Sequence, residues 1–235
     1  MIGNLFTGSR GNLAPRLLMY TSPHHVRRRL TDDEGIRDGR TAPLARVHDA
    51  ILNFLRNRDD AVLFGAQAVN GYVEESRMTQ DVDILSTRAR ELAEELRAHL
   101  ATTFTIATRV REVAQGQGFR IYQLRQPKNR HLADVRQVDA FPPTQVVSEV
   151  RVPNPEELIA QKVISLSLRA AQPKGDTDRR DLKELLLAYP QLKTEAGAVR
   201  ERLRAADADD RAIAEWKRLV ATEIETPGDA DEFES

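Results

Sequence analysis

The chain contains no cysteine. That excludes disulfides and thiolate catalysis, and it fits a reducing compartment. No apolar run approaches the ~20 residues that a membrane span requires, and "RLLMY" near the start is too short for a signal-peptide core. Net charge is also nearly missing: charged residues make up 30% of the chain, yet they balance to -1. No overall field draws in nucleic acid or an anionic membrane, so any polyanion must be met by a local patch. Tryptophan occurs once, at Trp216; it reads as a core residue, with base stacking as the alternative. The expectation is a soluble, cytoplasmic protein with no membrane partner.

What is present suits one α/β unit with a helical addition, since 235 residues at 40% hydrophobic content can build a sizeable core. Residues 1–40 mix Gly, Ser, Pro and charge without a period and read as a disordered extension. Within them "HHVRRR" reads as a solvated tail or a phosphate contact, and His24 and His25 lack a third ligand at a metal-site spacing. Residues 41–152 read as an α/β core. A helix capped by Thr41 carries Leu44, Val47, Ile51, Leu52 and Leu55 on one face. "AVLF" (61–64) reads as a buried strand, "GAQAVNGYV" as a helix opening at its glycine, and "DVDIL" (81–85) as the next strand. A helix capped by Ser86 or Thr87 follows, then strands at 103–110, 118–124 and 131–138. This order predicts a mixed sheet with helices on one face.

Residues 153–225 read as helical, with helices at about 155–170, 178–188, 194–205 and 208–223. Asn154 can cap the first of these and Pro155 suits its first position. Residues 226–235 form an acidic tail.

Chemistry concentrates between Phe64 and Leu85. A strand running into Gly65 at a helix start leaves free N–H groups and a positive dipole end, which favour phosphate. Asp81 and Asp83, two apart on a strand, place like charges on one side. A cation resolves their repulsion, and carboxylates shared with substrate phosphates suit Mg²⁺ or Mn²⁺. Farther on, Lys162, Ser165 and Arg169 line one furrow of a largely apolar helix. The furrow either meets a triphosphate or holds a lysine reaching out to water.

The run of hydrophobic strand, glycine, helix and then Arg77, Thr79, Asp81 and Asp83 resembles the DNA polymerase β-type nucleotidyltransferase superfamily, specifically its AbiEii-like toxin branch. "LIAQKVISLSLRAAQPKGDTDRRDLKELL" resembles that branch's downstream pattern. The resemblance implies transfer of a nucleoside monophosphate from a nucleoside triphosphate, with pyrophosphate leaving and divalent ions held by carboxylates. On that match Asp81 and Asp83 hold metal, and Gly65, Ala66, Arg77 and Thr79 belong to the nucleotide cradle. Lys162 and Arg169 meet phosphates, and Asp178 and Asp181 flank the cleft. The acceptor would be a tRNA end, another RNA or a protein hydroxyl, and the role that of a toxin restrained by an antitoxin. Ala66 stands where the family has a second Gly or Ser, which predicts weaker triphosphate binding, and 14 residues separate it from Asp81, slightly beyond the family's commoner spacing. Two-metal transfer also requires a third carboxylate. Asp134 is preferred over Asp139, because Leu132, Asp134 and Arg136 alternate onto one strand face while Asp139 falls on the other. Arginines 109, 111, 120, 125, 130 and 136 either line an RNA path or keep strand edges soluble.

Two rivals stand beside this reading. One is a catalytically silent copy of the fold used for binding or regulation, suggested by Ala66. The other is a glycosyltransferase, disfavoured because only one strand and one helix precede the D-x-D pair.

Overall fold

The computed structural model describes residues 43–224. The expected extension at 1–40, with its histidine pair, the Thr41 cap and the acidic tail lie outside them.

Helix α1 (Leu44–Leu55) buries Val47, Ile51, Leu52 and Leu55, as its 3.6-residue period requires. Strand β1 (Ala61–Phe64) leads directly into α2 (Gly65–Asn70), which stops at Gly71 and is shorter than "GAQAVNGYV" suggested. Strand β2 (Val82–Ser86) follows, then α3 (Ala89–Phe104). Ser86 belongs to the strand, and neither it nor Thr87 is the N-cap of α3; that position is Arg88. The first free N–H groups are met instead by Gln137, whose Oε1 accepts from Ala89 N at 3.0 Å.

Three further strands complete the sheet: β3 (Thr108–Val113), β4 (Gly118–Gln123) and β5 (Arg130–Gln137). The strand expected at 103–110 starts later, because Leu96 and Leu100 keep α3 packed on the core to Phe104 and Thr105 closes it in a left-handed turn. The strand order is β1-β2-β5-β4-β3, with β2 parallel to β5 and the other neighbours antiparallel. One face is covered by α3, through Ala89, Leu92, Ala93, Leu96 and Leu100 against Phe119, Ile121, Val135 and Ile84. A hairpin of β6 (Thr144–Val147) and β7 (Val150–Pro153) lies beside β1. Sequence gave no sign of it, since "TQVVSEVRVP" has no Gly or Asn-Gly turn; Ser148 and Glu149 adopt positive φ without one.

The remainder is helical, as expected: α4 (Pro155–Arg169), α5 (Pro173–Ala188), α6 (Ala198–Ala205) and α7 (Asp210–Ala221). Asn154 occupies the N-cap position of α4 but makes no side-chain capping bond. Helix α5 begins five residues before its expected start at 178, because Pro173 sits in its first turn, where a missing N–H costs nothing. Conversely, α6 begins only after Gly197, whose φ of 138° suits glycine, so 194–197 is not helical. Trp216 is fully buried among these helices, which removes base stacking as its role. The whole is a mixed α/β fold with a mixed sheet and flanking helices.

Candidate functional site

The segment from Arg77 to Asp83 ties α2, α5 and the sheet together, one residue at a time. Asn70, at the end of α2, imitates a strand partner for Arg77: its Nδ2 donates to Arg77 O at 2.9 Å and its Oδ1 accepts from Arg77 N at 3.1 Å. The guanidinium then forks onto Asp181 of α5, Nε to Oδ1 at 2.7 Å and Nη2 to Oδ2 at 2.9 Å. Thr79 is buried, and its hydroxyl accepts from Gln67 of α2 at 3.0 Å. Held at these points, the chain delivers Asp81 and Asp83 to the open face of the sheet.

Asp83 lies between two strands, opposite Phe64 of β1 and Asp134 of β5. A Cβ on Gly65 would stand 2.5 Å from Asp83 Oδ2, and Gly65 has φ +68°. Both facts require glycine there: backbone and carboxylate approach each other where no side chain fits. Burial raises the pKa of Asp83, with Asp81 and Asp134 adding to the rise and Arg136 and Lys162 opposing it. Its nearest cation, Arg136 Nη2, is 3.8 Å away and lies over the Phe64 ring.

Between Asp81 and Asp134 stands His131, which the sequence reading missed. Its Nδ1 is 3.0 Å from Asp81 Oδ2 and its Nε2 is 3.3 Å from Asp134 Oδ1. Burial lowers the histidine's pKa, but the flanking carboxylates of Asp134 and Asp81 outweigh burial and push it up to about 10. The hydrogen bond with His131 holds the Asp81 carboxyl below the usual range. Alternation alone puts His131, three residues before Asp134, on the opposite face. A bulge reverses this: Ile121 faces Ala133 and Tyr122 faces His131, so Leu132 is an extra residue. Leu132 and Ala133 are both buried with Ile121. The expected face shared by Leu132 and Asp134 is thereby corrected; Leu132 turns to the core and His131 replaces it.

Asp81, His131 and Asp134 offer ligand atoms within 4.8 Å of one another. The carboxylates of Asp81 and Asp134, with Asp83 adjacent, are hard oxygen donors that fit Mg²⁺ or Mn²⁺, and the charged His131 holds the place between them that such an ion would take. Asp139 is exposed beyond the end of β5.

Lys162, Arg169, Asp178 and Asp181 gather elsewhere, between α4 and α5. Lys162 Nζ donates to Asp181 Oδ2 at 2.6 Å and to Asp178 Oδ1 at 3.2 Å, and Arg169 Nε donates to Asp178 Oδ2 at 2.6 Å. Lys162 is buried and so does not reach out to water. The furrow is filled by aspartates of the next helix, and Arg77 joins it to the segment bearing Asp81.

No family model matches the chain, and no curated protein does. Among solved structures it is similar to Megavirus polyadenylate synthase, with a TM-score of 0.50 and 15% identity over 63% of this chain and 32% of that one. It is also similar to JHP933 from Helicobacter pylori (TM-score 0.43, 12% identity, 74% of this chain and 88% of that one). A third similarity is to an antigenic nucleotidyltransferase-like protein from Paracoccidioides brasiliensis (TM-score 0.40, 18% identity, 71% and 86%). The first likeness agrees with a nucleotidyltransferase-like fold, and at 15% identity it speaks to fold alone.

Proposed function

We propose that the protein is a divalent-metal-dependent nucleotidyltransferase that moves a nucleoside monophosphate from a nucleoside triphosphate to a hydroxyl. The observation that carries this is the convergence of Asp81, His131 and Asp134 within 4.8 Å, beside an Asp83 seated over Gly65. Asp81, Asp83 and Asp134 would hold Mg²⁺ or Mn²⁺ in place of the charge that His131 supplies between Asp81 and Asp134. The bound ion would polarise the α-phosphate and offset the negative charge of the triphosphate. The acceptor oxygen forms its bond to the α-phosphorus, the bond from that phosphorus to the β-bridging oxygen breaks, and pyrophosphate departs with the electron pair. Asp134 takes the hydroxyl proton. The backbone at Gly65 and Ala66 cradles the outer phosphates. Arg77, Thr79, Lys162, Arg169 and Asp181 act as positioning residues: they lock the segment that presents Asp81, and the charge of Lys162 reaches Asp83.

The residue pattern Arg77, Thr79, Asp81, Asp83 supports the AbiEii-like branch and with it the role of a toxin paired with an antitoxin. The test is incubation with each α-³²P-labelled nucleoside triphosphate, Mg²⁺ and total RNA, followed by a search for label on RNA and protein. Transfer should occur with the native protein and vanish in the Asp81→Ala, Asp83→Ala double variant; transfer that persists in that variant removes the mechanism. A second reading, a silent binding module, is favoured by one observation: His131 already bridges Asp81 and Asp134 with a positive charge. Calorimetric titration with Mg²⁺ and each triphosphate separates the two, because a silent module binds neither or binds without turnover.

A further inference from the structure

The open face of the sheet continues beyond the carboxylates, across β4 to the edge strand β3. Cross-strand pairing sets its contents in rows. Asp83 faces Asp134, Asp134 faces Arg120, and Arg120 faces Arg111. In the neighbouring row His131 faces Tyr122, and Tyr122 faces Arg109. Opposite neighbours in a ladder share a face, so Arg109, Arg111, Arg120 and Tyr122 lie on the side that bears the site. The other side is fixed independently: Thr108 Oγ1 donates to Arg97 O of α3, and Glu112 pairs with Arg90 of α3.

The charge in these rows is unbalanced. Arg111 stands directly opposite Arg120, a like-charge pair that destabilises an antiparallel ladder. Arg120 has Asp134 at 3.1 Å, whereas among the described residues neither Arg109 nor Arg111 has an ion-pair partner. All three arginines are exposed. Tyr122 lies between them, half-buried, its ring 5.1 Å from that of His131. Arginines spaced around an aromatic ring on an open sheet match the phosphates and a base of a single strand. A duplex hides its bases, and an acidic peptide has nothing to stack on the tyrosine. From β3 to β2 there are three strand spacings of about 4.8 Å each, or about 14 Å, the length of about four nucleotides stacked at 3.4 Å.

We infer that this strip is an acceptor platform: a single-stranded polynucleotide lies across β3 and β4 on Arg109, Arg111, Arg120 and Tyr122, with its terminal hydroxyl at the carboxylates of β2 and β5. The inference rests on the nucleotidyl-transfer reading for what happens at that end, and its test does not.

The test measures fluorescence anisotropy of the full chain with a labelled single-stranded RNA of about 12 nucleotides, without nucleotide or divalent ion, in about 50 mM salt. The same sequence as single-stranded DNA distinguishes which polynucleotide is taken. The native protein should bind a single strand more tightly than the matching duplex, and more tightly than polyglutamate. Arg109→Ala with Arg111→Ala should weaken binding about tenfold or more and lower the salt slope by about 1–2. Tyr122→Leu should weaken it at least about fivefold at an unchanged salt slope. The arginine variant should keep native Mg²⁺-triphosphate affinity, which shows that the site is intact. Failure of the native protein to bind a single strand, equal binding of duplex or polyglutamate, or native affinity in the arginine variant each overturns the platform. Label transfer with native RNA affinity in the arginine variant refutes the platform and leaves the transferase standing. Arginine-dependent strand binding without label transfer does the reverse.

Discussion

Two clusters in this molecule bring aspartates and cations together, and they differ in how fully each acid is answered. Between α4 and α5, Asp178 and Asp181 are each 2% exposed, and both accept from two cationic side chains. On the sheet, Asp83 has no cation nearer than 3.8 Å and keeps a raised pKa, and Asp81 shares its histidine with Asp134, which also meets the exposed Arg120. Buried charges with every valence met hold a fold in one arrangement; half-buried charges with valence to spare can accept a ligand. We read the helical cluster as scaffold and the sheet cluster as the candidate site, although both were equally conspicuous as acidic pairs.

The sharpest way to break that contrast is Asp181→Ala. It strands buried Lys162 with a single partner and frees Arg77, and should cost about 3–5 kcal/mol in urea unfolding. Replacing Lys162 by Met together with Asp181 by Leu should cost less than Asp181→Ala alone, since the buried lysine charge is removed with its partner and the buried Asp178 keeps Arg169. If Asp181→Ala unfolds like the native protein, the cluster is not scaffold. An intermediate effect is expected from Gly65→Ala. Its Cβ would stand 2.5 Å from Asp83 Oδ2 at a φ of +68°, a strain of about 1–3 kcal/mol. Mg²⁺-triphosphate affinity should fall more than the stability loss accounts for, because it is Asp83 that must move.

The smallest effect is the pH dependence of the sheet cluster. His131 is raised from its ordinary value of 6.5 to about 10 when folded. Its ion pairs then stabilise fully below about pH 6.5, and that stabilisation is lost as pH rises towards 10. Each half-exposed pair contributes about 1 kcal/mol at most. His131→Gln should flatten the fall in stability across that window, read from urea midpoints at a series of pH values. A native slope surviving in the variant would mean that His131 is not the charged bridge between Asp81 and Asp134.

Elements with a strong local signal were legible in advance. The apolar stripe of α1, the short run of β1, the D-x-D strand and the Asn154–Pro155 start of α4 each express a preference of adjacent residues, and each stands where that preference puts it, the D-x-D strand one residue late so that Asp81 precedes it. The β6–β7 hairpin was not legible, because its turn uses Ser148 and Glu149 at positive φ and is held by the rest of the fold rather than by turn residues. The site divides along the same line. Asp81, Asp83, Gly65 and Asp134 could be named from spacing as candidates, whereas His131 could not, because one inserted residue at Leu132 turns it onto the face that bears Asp134. Only pairing with β4 reveals that insertion.

By itself the sequence determined most segments of helix and strand, the β6–β7 hairpin excepted, and that two aspartates would follow a glycine-started helix, since those are matters of period and local conformational preference. Tertiary structure alone decided which charges meet. Lys162 and Arg77 close on Asp181 across residues far apart in the chain, and His131 enters the carboxylate group through a bulge. The physical reason is that a partner's identity depends on strand register and helix packing, and these are set by burying the whole core at once.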